Sequence, residues 1–268
     1  MLMFLYDLPN WLLGLVVVGA SVLAGYAIYF SVRKIFGGDF TEDQRGVAMT
    51  IIGIIATINS LLLAFSAVSV WESFSSADAA VVAEANTIGE LARDLAIFDS
   101  EESKKAREML RDYARAVVNV EWKEMEEGKA STDVWDKFDR MFDAVGLIHP
   151  DTPRRVSLLP EILTRANETL KERRSRLYSS QSEVPGTLWS VVLLGTVLTM
   201  GLTVVLTPTR FHLAMIGALS FSIGLVFYFL MAMDRPFAGK ESISPAPFES
   251  AIANMQRWDE TIARPTVE

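Results

Sequence analysis

The sequence predicts an all-α membrane protein: four transmembrane helices, two N-terminal and two C-terminal, with a helical cytosolic domain inserted between spans two and three. Three observations carry this prediction. Four long blocks contain no Asp, Glu, Lys or Arg. The stretch between the second and third blocks is polar and spaces its apolar residues at helical intervals. No stretch alternates in the manner of a strand.

The first block is Trp11 to Val32, 22 residues; the second is Gly46 to Trp71, 26 residues. Residues 1–71 therefore read as an N-terminal hairpin with spans at about 11–32 and 46–71. A bilayer core is crossed by about 20 helical residues, so each block is long enough. Met1 to Asn10 carries only Asp7 and lacks the basic start of a signal peptide, so the first block is expected to be a retained span. Tyr6, Trp11, Tyr26, Tyr29 and Phe30 flank span one, and Trp71 and Phe74 close span two; such rings favour the headgroup level.

Residues 72–183 hold 17 bases and 23 acids. No helix breaker falls between Glu72 and Phe98, and Val81, Ala85, Ile88, Leu91, Ala92 and Leu95 recur at helical spacing, so span two is expected to run on beyond the membrane. Asp99 and Glu102 read as a capping pair opening the next helix, whose apolar face is Ala106, Leu110, Tyr113, Val117 and Val120. Gly128 ends it. Ser131 or Thr132 caps a third helix with Trp135, Phe138, Phe142 and Val145, closed by Gly146. A fourth starts at Pro153 or Pro160 and carries Leu163, Ala166, Leu170 and Leu177 on one face. Its basic run from Lys171 to Arg176 reads as a solvated helix end, with an anionic-lipid site as the sharper reading.

Pro185 opens the C-terminal hairpin, residues 184–233. Its blocks are Val184 to Thr209, 26 residues with Trp189 near the start, and Phe211 to Met233, 23 residues. The spans fall at about 184–207 and 211–233, joined through Pro208, Thr209 and Arg210. Residues 234–268 form a juxtamembrane turn and a tail, in which Pro245 and Pro247 open an amphipathic helix with Phe248, Ile252, Met255 and Ile262 on one side.

Composition removes several function classes. There are no cysteines and only two histidines, His149 and His212, so thiolate sites and histidine-rich metal centres are excluded. The net charge of −8 argues against nucleic acid as a partner. Two acidic groups, Glu121, Glu124, Glu126 and Glu127, then Asp133, Asp136, Asp139 and Asp143, read as solvated faces. No Walker loop, nucleophile elbow or zinc signature is present. The reading is of no enzyme, no cofactor and no resident metal, with the lipid bilayer as the first partner. Counting Lys and Arg near span ends gives seven (Arg165, Lys171, Arg173, Arg174, Arg176, Arg235, Lys240) against four (Arg33, Lys34, Arg45, Arg210). This favours both termini and the central domain on the cytoplasmic side.

Span two is the most informative helix. Asn59, Ser66 and Ser73 recur every seven residues; Ser76 and Glu84 are read as continuing the line, with Ser69 at its edge and Leu62 and Val70 as apolar interruptions. Polar residues inside a membrane face protein or water. Two readings compete: close packing between helices, or the lining of a pore in an oligomer, with hydroxyls and the Asn59 amide hydrating ions and Leu62 or Val70 as constrictions.

After span four come Asp234-Arg235-Pro236-Phe237-Ala238-Gly239 and then Ser244-Pro245-Ala246-Pro247-Phe248. With two spans on each side of a helical insert, this D-x-PF-x-G…SP-x-P pattern resembles the bacterial bestrophin-like membrane family, itself similar to the bestrophin anion channels. The resemblance covers nearly the whole chain. It implies a bacterial inner-membrane protein, a homo-oligomer (a pentamer by resemblance only) and an inorganic ion as cargo. The pore would be lined by the second span and its cytosolic extension, from Asn59 to Glu84. It marks Asp234, Pro236, Phe237, Gly239, Ser244, Pro245 and Pro247 as motif residues. The large side chains of a bestrophin neck are replaced here by Leu62, Ser66, Ser69 and Ser73, and no calcium-clasp acids are matched. The alternative is a non-conducting scaffold or sensor whose helical domain binds a protein partner or anionic lipid.

Overall fold

The computed structural model describes residues 8–37, 40–181 and 184–263, the last four by backbone alone. Tyr6 and the side chain of Ile262 lie outside this description. The described residues are helical with no strand: α1 (Asn10–Phe36), α2 (Glu42–Phe98), α3 (Glu101–Ala116), α4 (Trp122–Glu126), α5 (Thr132–Gly146), α6 (Pro153–Ser180), α7 (Gly186–Leu202), α8 (Arg210–Met233) and α9 (Ala246–Ala263). A π-helical turn, Val117–Glu121, joins α3 to α4. Four helices, α1, α2, α7 with its 3₁₀ extension to Val205, and α8, are long and apolar enough to cross a membrane.

The chain divides into two compact units. One holds residues up to Phe74, Glu183–Arg235 and Gly239–Glu241; the other holds Ser75–Ser182, Pro236–Ala238 and Ser242–Glu268. α2 contributes to both as one 57-residue helix, which no proline interrupts.

In the first unit α1 and α8 lie antiparallel at close range. The approach depends on missing side chains, since a Cβ on Gly224 would stand 2.9 Å from Ser21 Cβ and 3.0 Å from Val18 Cα. Small residues let membrane helices meet in this way, where apolar burial supplies little drive. Tyr26 and Tyr29 turn their hydroxyls into the helix packing. The Tyr26 hydroxyl donates to Leu213 O (2.9 Å), and that of fully buried Tyr29 to Leu206 O (2.8 Å). In an apolar medium a phenol hydroxyl is held where it finds an acceptor, and the ends of α7 and α8 supply one. Leu63 of α2 packs with Val192, Met200 and Ile223.

In the second unit the α2 residues Ile88, Leu91 and Leu95 are buried with Leu110, Phe138, Ile162 and Ala166. Asp99, with φ 50°, ends the chain's run in α2, and the helix that follows is capped by Ser100 and Ser103 in a reciprocal box. The Asp99–Glu102 pair does not form the cap, because the box requires its first member one residue later. Thr152 caps α6 with Pro153 in its first turn, and Pro160 is carried inside the helix. Arg155 satisfies the carbonyls that α2 leaves at its end, donating through Nε to Phe98 O at 2.8 Å.

Candidate functional site

Most of the buried positions of α2 fall on one line, Asn59, Leu63, Ser66, Val70, Ala77, Val81, Glu84, Ile88, Leu91 and Leu95, with Ala80, Ala85, Ala92 and Phe98 buried beside it. Steps of three and four keep such residues on one helix face. The polar stripe and the buried face therefore coincide over much of their length. Asn59, Ser66, Val70 and Glu84 are covered by the chain's own helices. The Asn59 amide sits over Gly195 of α7, where a Cβ would overlap Oδ1. Ser66 Oγ donates back to Leu62 O at 2.8 Å. Leu62 and Ser73 are half-buried, and Ser69 and Ser76 are exposed. Ser76 does not continue the line: at about 100° per residue it stands about 100° away from Asn59.

Glu84 is fully buried in an ionic cluster. Arg176 donates through Nε to Glu84 Oε2 (2.7 Å) and through Nη2 to Glu121 Oε2 (2.7 Å). Arg173 grips Glu121 with both terminal nitrogens, at 2.8 and 2.7 Å. The Tyr113 hydroxyl accepts from Arg173 (2.9 Å) and donates to Glu84. Two carboxylates meet two guanidiniums, so the buried charge is balanced, and the bidentate geometry is the strong form of such contacts. Burial opposes the Arg176 charge, yet Glu84 and Glu121 hold its pKa above the usual arginine value. Burial, then the Glu84 carboxylate, pushes the Tyr113 phenol well above 10.0. Aromatic faces complete the enclosure: Arg173 lies 4.5 Å from the Trp135 ring centroid, and Arg176 5.4 Å from that of Phe248.

The cluster overturns two expectations at once. Arg173 and Arg176 are not a solvated helix end or a lipid site; their neighbours Lys171, Arg174 and Ser175 are exposed. Glu121 is not part of a solvated acidic face. The π-helical turn takes up one extra residue, and it leaves Val120 exposed and Glu121 buried. A signal for the arginines was present in the spacing. Ile162, Ala166, Thr169, Arg173, Arg176 and Leu177 form one line along α6, so charge alone concealed that they share its buried face.

Next to the cluster, Trp122 meets Phe237 edge-on with ring centroids 5.7 Å apart and Phe248 at 5.8 Å, and its indole N–H donates to Ile243 O at 3.2 Å. A family model for the bestrophin-like domain matches residues 19–248. The chain belongs to the bestrophin-like family. A crystal structure of a membrane protein is similar in fold, with a TM-score of 0.62 at 12% identity over 91% of this chain and 96% of that one. No curated protein matches the sequence. Membership in the family, together with four membrane-length helices, makes this an integral membrane protein.

The motif of this bestrophin-like chain runs through a turn into the start of α9. Asp234 Oδ1 accepts from the Val184 N–H at 2.9 Å, tying the end of α8 to the approach to α7. Pro236 and Phe237 are buried in the helical unit, and the Pro236 carbonyl accepts from Ile243 N at 2.8 Å. That bond closes a loop in which Gly239 takes φ 85°, a conformation that favours glycine. Ser244 is exposed, and its hydroxyl accepts from the Ala246 N–H at 3.2 Å. Pro245 and Pro247 flank the start of α9, which buries Phe248 and Met255.

Proposed function

We propose that this bestrophin-like protein is an oligomeric, anion-conducting channel of the bacterial inner membrane, with its termini and helical domain on the cytoplasmic side. The supporting observation is the bareness of the second span. Only 17% of its most apolar window is buried within the chain, against 22% for the first and 33% for each of the last two. The pore surface passes from the polar stripe to the opposite face of α2. There Thr57, Leu61, Ala64, Val68 and Ser75 are all exposed and share one side of the helix. Around an axis this face would give hydroxyl rings at Thr57 and Ser75 and apolar constrictions at Leu61 and Val68, with Ser69 and Ser76 on the flank beside the neighbouring subunit.

The experiment is a mass measurement in detergent followed by conductance in planar bilayers. An oligomer that conducts, and whose conductance falls with Leu61→Trp, supports the reading. A monomer, or silence across salts and pH, overturns it.

A further inference from the structure

α2 is one helix, so its bare face can be followed beyond the membrane. At about 100° per residue, Ser75, Ala79, Val82, Asn86, Arg93 and Ile97 fall within about 40° of Thr57. All six are exposed. Arg93 is the one charged residue on this line between Thr57 and Ile97. Glu72, Asp78 and Glu90 stand about 60° to either side of it. Of these, Glu90 is held by Arg165 at 3.0 Å.

Arg93 borders a pocket of about 380 Å³ between α2 and α9, inside the helical unit. Its guanidinium lies 5.2 Å from the ring centroid of Trp258, which lines the same pocket. The aromatic ring meets a face of the guanidinium, whereas the five N–H donors lie around its edge. Among the described residues no carboxylate forms an ion pair with Arg93. Burial raises the pKa of neighbouring Asp94, and of the charged groups that act on Asp94, Arg93 acts least. Trp258 is fixed in turn, because Asp259, the next residue, pairs with Arg107 at 2.6 Å and also with Arg111. Asn86 and Ser250 bring to the pocket an amide and a hydroxyl that can donate. A water's share of liquid volume is about 30 Å³, so the pocket admits an anion together with its hydration shell. An ion held through its water leaves readily, as conduction requires.

We infer that Arg93 and the pocket beside it form a site for a small inorganic anion of the halide class, in the helical unit on the bare line of α2. That this site feeds a conduction path rests on the channel reading; the binding of the anion does not.

The test measures quenching of Trp258 emission in the full chain in detergent, taken as the difference between each protein and its Trp258→Phe counterpart. Iodide should quench the wild type about fivefold more strongly than Arg93→Gln, the factor that one unit charge about 4 Å away gives in water. Arg93→Lys should keep most of the effect. Acrylamide is uncharged and should quench all three alike, so it reports any change in fold or access. Equal iodide quenching in the wild type and Arg93→Gln, or a change that acrylamide shares, would overturn the site. In planar bilayers, Arg93→Glu should lower the chloride-to-sodium permeability ratio by a similar factor. A conducting protein whose ratio does not move would overturn the role of Arg93 and spare the channel. A silent protein with iodide enriched at Trp258 would overturn the channel and support the site.

Discussion

Glu84 shows how far one side chain's environment can differ from its apparent line on a helix. It is an acid on a polar stripe, yet it lies fully buried with Arg176, Tyr113 and, through Arg176, Glu121. A buried pair adds little net stability compared with apolar packing, but removing one member leaves an uncompensated charge and costs about 3–5 kcal/mol. Glu84→Gln should therefore lower the thermal unfolding midpoint of the detergent-solubilised protein by many degrees. The same change at exposed Glu72 should leave it near the wild-type value. Tyr113 makes a pH-dependent contribution. Its folded pKa is raised, first by burial and then by Glu84, while the unfolded phenol titrates near 10. The stability it contributes is complete below about pH 10 and is lost as pH rises from there toward the folded value. Tyr113→Phe should lose a hydrogen bond at neutral pH and show a shallower fall in midpoint between about pH 9 and 11, measured against the wild type.

At the scale of elements, α2 carries two faces with separate tasks. Its line of Asn59, Leu63, Ser66 and Val70 packs within the membrane unit, and the same line continues through Glu84 into the helical unit. Asn59 meets Gly195 closely within that packing. Asn59 Oδ1 has no hydrogen-bond partner among the described residues, so the amide acts by shape there. Gly195→Ala should destabilise the protein because its Cβ overlaps the amide and lies 3.1 Å from Asn59 Cγ. Adding Asn59→Ala should recover part of the loss, with a coupling of about 0.5–3 kcal/mol in a double-mutant cycle of unfolding free energies. Equal losses in the single and double variants would show that α2 and α7 do not meet at this point.

For the whole molecule, the proposed pore assigns folding and conduction to opposite faces of α2. Thr57→Trp lies on the bare face and should change single-channel conductance while leaving the unfolding midpoint in place. Ser66→Trp lies on the packed face and should lower the midpoint, because a large ring replaces a buried hydroxyl. A Ser66 variant that folds normally and conducts differently would return the pore to the polar stripe.

How much was legible beforehand depends on the range of the interaction. The four spans were legible because a bilayer imposes a length of uncharged helix that shows as an unbroken run in the chain. The long run of α2 followed from apolar spacing without a breaker, and the motif from Asp234 to Pro247 identified the family by local residues alone. What lay hidden were choices between helix faces. Periodicity shows that Asn59, Ser66 and Glu84 lie close to one line, but which face meets a neighbour depends on where α6 and α7 are placed. The same holds for Arg173 and Arg176, whose charge suggested solvent until Glu84 and Glu121, 92 and 55 residues from Arg176, were brought to them. Sequence by itself determined the membrane-spanning helices and their order, because backbone satisfaction in lipid is a local demand. Only the tertiary structure decided which side of α2 is free, because burial is a property of pairs of helices distant in the chain.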